Sequence, residues 1–156
     1  MQRKQDVDVL VRISRVYRAA KREFNRRLES HGLNYIDFLI LMNVRESPKS
    51  MVYLAKEVLM TQAGITAAID RLEERGLVRR ERDKEDRRII NVQITDLGVK
   101  ATEEAMQVYE EMASELMKDL SHEEKEKLIA LLDLVQEKNN KARESYSIKL
   151  GLLGNS

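Results

Sequence analysis

Cysteine is absent from the 156-residue chain, which excludes disulfides, thiolate metal sites and thiol-based redox sensing. Proline is almost absent: Pro48 is the only one, and six glycines are the other helix breakers. A chain so poor in breakers favours long helices. No stretch approaches the roughly 18 consecutive apolar residues that a membrane-spanning helix needs. The opening residues Met1-Gln2-Arg3-Lys4-Gln5-Asp6 lead into no apolar secretory segment. A cytoplasmic protein with no membrane partner is expected.

Catalytic signatures are also missing. Gly151-Leu152-Leu153-Gly154 lacks the Lys and the following Ser or Thr of a phosphate-binding loop. Ser121-His122 reads as a helix cap rather than as a nucleophile. The carboxylate pairs Glu73-Glu74 and Glu103-Glu104 fall on solvated helix faces. The two histidines, His31 and His122, lie far apart in sequence. No enzyme, no cofactor and no metal site are expected.

What is present is charge, and its placement is uneven. The formal net charge is only +1, yet residues 1–100 carry 21 Lys and Arg against 15 Asp and Glu, or +6, and the remainder is −5. A basic front and an acidic back suit a protein that touches phosphate with one part only.

Periodicity gives the elements. Val9, Ile13, Val16, Tyr17, Ala20, Phe24 and Leu28 recur at helical spacing and predict a helix over residues 8–30, closed by Gly32. Asn34 is positioned to cap a second helix that carries Asp37 in its first turn. Residues 47–50 are expected to form a turn. A short helix over 51–58 precedes Thr61, a good N-cap, and a helix over 62–75 that Gly76 ends. The period then changes: Ile90, Val92 and Ile94 alternate with polar residues, a half-buried strand whose partner lies in 77–82. The intervening Asp83-Lys84-Glu85-Asp86-Arg87-Arg88 holds no apolar residue and must form a polar hairpin tip. A long helix beginning near Thr95 follows, and Ser121-His122-Glu123-Glu124 opens another in capping-box form.

Two short helices followed by a two-stranded hairpin describe a helix-turn-helix with a wing. The small polar start of the second helix can enter a major groove roughly 12 Å wide. There Thr61, Gln62, Ala63 and Thr66 offer hydroxyl, amide and methyl groups. Arg79, Arg80, Arg82, Lys84, Arg87 and Arg88 place cations on the wing for phosphates or a narrow minor groove. A helix–helix–hairpin also occurs as a generic piece of α+β folds, and charge runs are usually solvated surface.

The residues are more specific than the pattern. Leu54-Ala55, Thr61-Gln62-Ala63-Gly64-Ile65-Thr66 and Ile69-Asp70-Arg71-Leu72-Glu73-Glu74-Arg75-Gly76-Leu77-Val78 resemble the helix-turn-helix signature of MarR (multiple antibiotic resistance regulator) proteins. The likeness continues through Arg82-Asp83, Asp86-Arg87-Arg88, Val92, Ile94-Thr95 and Gly98, in the order of that family's wing. It implies a mainly α (α+β) chain, with a winged helix-turn-helix at 33–98 and a two-stranded wing. Long flanking helices, at 6–32 and 99–146, would form a dimerisation lobe, and 147–156 would be a tail. The implied function is a ligand-responsive transcriptional regulator that binds pseudo-palindromic double-stranded DNA as a homodimer. Thr61, Gln62, Ala63, Thr66, Arg71, Arg80, Arg82, Lys84, Arg87 and Arg88 are the candidate DNA contacts. By resemblance Asp86 would hold Arg88 for the minor groove, with Arg87 a near-equal candidate. Some relatives sense peroxide through a cysteine, which this chain lacks. Others bind small aromatic anions, such as salicylate-like phenolic acids, and Arg18, Tyr35 and Tyr109 are the candidate liners. The competing expectation is a winged helix that binds protein, or one that binds DNA architecturally without choosing a sequence.

Overall fold

The computed structural model describes the backbone of residues 1–153 and side chains through Lys141. Ten elements follow in order: α1 (Gln2–Leu28), a single 3-10 turn (Glu29–His31), α2 (Tyr35–Val44), β1 (Lys49–Ser50), α3 (Met51–Glu57), α4 (Gln62–Glu74), β2 (Val78–Arg82), β3 (Ile90–Ile94), α5 (Asp96–Met117) and α6 (His122–Leu153). Two compact units result, one covering Met1–Met112 and the other beginning at Ala113.

Local chemistry sets the boundaries. Gly32 ends the first helical run at φ +64°, a left-handed conformation that costs glycine nothing. Asn34 then caps α2. Its Oδ1 accepts the Asp37 N–H at 2.9 Å, while Asp37 Oδ2 accepts the Asn34 N–H at 3.0 Å. Ser50 caps α3 and Thr61 caps α4 with one bond each, their hydroxyls accepting the Tyr53 and Gly64 N–H groups. Between α3 and α4 the chain reverses through Leu59, at φ +54°, so the helix-turn-helix corner is held by a strained, exposed residue rather than by glycine.

The first unit is organised around one core. Phe24 and Leu28 of α1 meet Ile40, Leu41 and Val44 of α2, Leu54 of α3, and Ile65, Ile69 and Leu72 of α4, all essentially buried. Val78 and Val92 close it from the sheet. The hydrophobic stripe of α4 is therefore its inner face, which leaves the opposite face to solvent.

The sheet has three strands rather than the expected two, in the order β1-β3-β2 and antiparallel throughout. Lys49 and Ser50, expected within a turn, pair with Val92 and Asn91. Two residues are too few to show alternation, and the strand exists because β3 offers a free edge. Pro48, which lacks an N–H, stands just ahead of it. The first helix begins at Gln2, earlier than residue 8, because its opening turns remain helical although exposed.

In the second unit, Ser121 and Glu124 form a capping box at the start of α6. The Ser121 N–H donates to Glu124 at 2.8 Å and the Glu124 N–H donates to the Ser121 hydroxyl at 3.2 Å. The segment expected as a tail continues α6 to Leu153; its side chains and residues 154–156 lie outside the described residues. Among the described residues no helix is long and apolar enough to cross a membrane.

Candidate nucleic-acid interface

The exposed face of α4 begins at its cap. The Thr61 hydroxyl accepts the Gly64 N–H at 3.1 Å and the Thr61 carbonyl accepts that of Ile65. The Gln62 and Ala63 amides are left without an intrahelical acceptor, as at every helix start. They sit at the positive end of the helix dipole, a favourable place for a phosphate oxygen. Thr61, Gln62, Ala63 and Thr66 are all exposed. Thr66 donates its hydroxyl to the Gln62 carbonyl at 2.8 Å. Its lone pairs and methyl group therefore face outward, able to accept a hydrogen bond or meet a thymine methyl but not to donate.

The wing tip is ordered by carboxylates. Asp83 Oδ1 accepts the N–H groups of Glu85 and Asp86 at 2.9 and 3.0 Å, and its Oδ2 accepts the Asn91 side-chain amide at 3.0 Å. These bonds, the backbone donors first, hold its carboxyl below the usual range. Asp86 grips Arg88 by Nε at 3.0 Å and Nη2 at 2.9 Å, and also accepts the Arg88 N–H at 3.0 Å. The Asp86 carboxyl is lowered and the Arg88 guanidinium raised by that bond. Arg88 is nevertheless 90% exposed: it is aimed without being covered. Arg82 donates to the Arg87 carbonyl at 2.9 Å, and the side chains of Lys84 and Arg87 project into solvent.

Two expected DNA contacts are already engaged. Arg71 reaches across to α2, where its Nη2 lies 2.7 Å from Asp37, a carboxylate only 4% exposed. A buried charge must be paired, so Arg71 is a strut between α2 and α4. Arg80 is turned onto Asp70 and Glu73 of α4 at 2.6 and 2.8 Å. Both are candidate DNA contacts by sequence, and their ion pairs are not legible there because the partners come from other elements. Asp83 was the residue that sequence reading missed: an Asp opening a polar hairpin tip is a turn-forming signal.

The expected effector liners divide. Tyr35 and Tyr109 join one aromatic cluster through Phe24, at centroid distances of 6.3 and 5.1 Å. Tyr17 adds an edge contact to Tyr35 at 6.4 Å. Arg18 is not among the lining residues; it is exposed. Tyr17, Lys21 and Phe24 share one helix face at four- and three-residue spacing, and Arg18 lies about 100° around from Tyr17. The cation at the cluster is Lys21, whose ammonium lies 5.3 Å from the Tyr35 ring centre. The cleft here measures about 50 Å³, a third of the roughly 150 Å³ apolar cavity that holds benzene.

Burial, then Tyr17, pushes the Tyr35 phenol up to about 12 from an ordinary value of 10.0. A raised pKa means that the folded state keeps this proton longer than the unfolded state. Its contribution to stability is intact below pH 10 and is lost as pH climbs towards 12. Absorbance titration at 295 nm is expected to show one late phenol that disappears in Tyr35→Phe. A late phase that survives the substitution would assign it elsewhere.

A sequence model of the MarR family matches residues 31–89, from the end of the 3-10 turn to the wing tip. The transcriptional regulator BldR from Sulfolobus solfataricus has a similar structure, with a TM-score of 0.81 and 39% identity, covering 88% of this chain and 99% of that one. The chain belongs to the MarR family of winged-helix, DNA-binding transcriptional regulators. Such proteins are not enzymes. MhqR of Bacillus subtilis (strain 168), an HTH-type transcriptional regulator, is 27% identical over 124 residues, covering 79% of this chain and 86% of the relative. A cysteine mutant of E. coli MarR, complexed with operator DNA, is similar with a TM-score of 0.74 and 26% identity over 84% of this chain and 95% of that one.

Proposed function

We propose that the chain is a sequence-specific regulator that binds a pseudo-palindromic operator as a homodimer. Thr61, Gln62, Ala63 and Thr66 would enter the major groove. Arg88, with Arg87, Lys84 and Arg82, would reach the adjacent minor groove and its phosphates. The observation that carries this reading is the pairing of an uncovered polar helix start with an exposed arginine held at the wing tip by Asp86. Winged-helix lobes of this kind, here residues 33–98, read one half-site each.

Each unit separately supports a dimer. In the first, α1 exposes Val7, Val9, Leu10, Val11 and Val16. In the second, α6 exposes Leu128, Ile129, Leu131, Leu132, Leu134 and Val135, so that its 128–135 stretch is apolar nearly all round. A helix of that kind needs burial. Residues 6–32 and 99–146 would supply the dimerisation lobe, with 147–156 as its tail.

A small aromatic anion, such as a salicylate-like phenolic acid, would act as effector at Tyr35 and Tyr109. Lys21 would serve as its counter-ion and move aside to admit the ring. Tyr35 and Tyr109 sharing one cluster with a lysine supports this.

In vitro selection from a random 30-base-pair pool, with sedimentation, tests the DNA-binding and dimer reading. The selected duplexes should contain an inverted repeat with half-sites about one helical turn apart, and sedimentation should show a dimer. Selection of no sequence, with tight binding to every duplex, would point to an architectural role. No binding at all would point to a protein partner.

A further inference from the structure

Arg80 differs from the other wing cations because its charge is turned inward. Its side chain is 23% exposed, against 90% for Arg88. Its Nη2 lies 2.6 Å from Asp70 Oδ1 and its Nη1 lies 2.8 Å from Glu73 Oε1. Its backbone N–H donates to Glu73 Oε2 at 2.8 Å, and Nη2 makes a longer contact to the Thr66 carbonyl at 3.4 Å. β2 is an outer strand of the sheet, so that N–H points away from β3 and would otherwise be unpaired. One residue of the wing is thus fastened to α4 by main chain and side chain together. Its anchors, Asp70 and Glu73, are three residues apart on one helix face. Arg80 also offsets two negative charges on the rim of the face that carries Thr66.

We propose that Arg80 is a positioning residue: it fixes the wing relative to α4, so that base reading by the helix and groove contact by the wing tip occur in one register. It touches no DNA itself. A phosphate ligand contributes to affinity for any sequence; a part that sets register contributes to the preference for one sequence over another. This inference rests on the DNA-binding reading above, and the experiment separates the two.

The probes are a duplex selected by the wild-type chain from the random pool and a scrambled duplex of the same composition, read by fluorescence anisotropy. Asp70→Ala/Glu73→Ala frees Arg80 and removes two negative charges beside the DNA face. A positioning role predicts that the preference for the selected duplex falls at least about tenfold, with scrambled binding unchanged or tighter. A phosphate-ligand role predicts the opposite, with both duplexes bound more tightly by the same factor, and that result would overturn the proposal. Arg80→Gln is expected to lose the same preference while keeping the wild-type salt slope; a slope reduced by about one would identify a phosphate contact. Arg80→Lys keeps the charge but cannot fork between two carboxylates, so it should fail alongside Arg80→Gln, and rescue by lysine would also count against positioning. Melting curves show that each variant is folded before it is scored. A wild-type chain that selects no sequence would overturn the DNA-reading premise itself, whereas normal selection with unchanged variants would overturn only the role given to Arg80.

Discussion

Gly98→Ala is expected to be among the most destabilising single-methyl additions in this chain, costing about 3 kcal/mol, at the upper end of overpacking. A Cβ on Gly98 would stand 2.0 Å from the Leu77 carbonyl oxygen and 2.7 Å from the Ile94 side chain. Neither neighbour can yield easily. The Leu77 oxygen accepts the Thr95 N–H at 3.1 Å, and Leu77 itself is buried at the junction of α4 and β2. The first turn of α5 therefore packs directly on the backbone that launches the wing. Gly64→Ala is the matched control. Its Cβ would meet only the flexible end of Met60 at 2.8 Å and the Thr61 hydroxyl at 3.2 Å, while alanine gains up to about 1 kcal/mol of helix propensity over glycine. Urea denaturation should separate the two variants clearly. Comparable stabilities would mean that the α5 contact is not the tight one.

The largest functional loss is expected at the wing tip. Arg88→Ala removes a charge that is 90% exposed, so melting should barely change. DNA affinity should fall roughly 10- to 100-fold, the range for a hydrogen bond to a charged group, and the slope of log K against log salt should shrink by about one. The variant also strips Asp86 of its charged partner, leaving only the backbone N–H bond, and so exposes a repulsive charge near the phosphates. Arg87→Ala has no such carboxylate behind it and should cost less. Equal losses from the two substitutions would show that the Asp86 brace does not select which arginine enters the groove. A folded Arg88→Ala with unchanged binding would remove the wing from the interface.

Most of this architecture could be read from short-range signals. Asn34 with Asp37, Thr61 before Gln62, and Ser121 with Glu124 each predicted a helix start, and each supplies the capping bond that the start requires. The alternation of Ile90, Val92 and Ile94 predicted β3 because a half-buried strand repeats every two residues. What escaped depended on partners elsewhere. β1 is two residues long and owes its existence to the edge of β3, not to a pattern of its own. The carboxylate partners of Arg71 and Arg80 lie 34 and 7–10 residues away, so no local pattern announces these ion pairs. Arg18 is the cation expected near the tyrosines, and Lys21 is the one that lines their cleft: Lys21 stands four residues from Tyr17 on one helix face, whereas Arg18 follows Tyr17 directly.

A sequence-specific regulator must distinguish one DNA sequence from another with this surface. The direct measurement is fluorescence anisotropy of the full chain on its selected duplex and on a scrambled duplex, across a salt series. Preference for the selected duplex by roughly 10³-fold or more, with a salt dependence steep on both, is the predicted result. Equal affinity for the two duplexes at every salt concentration would contradict it.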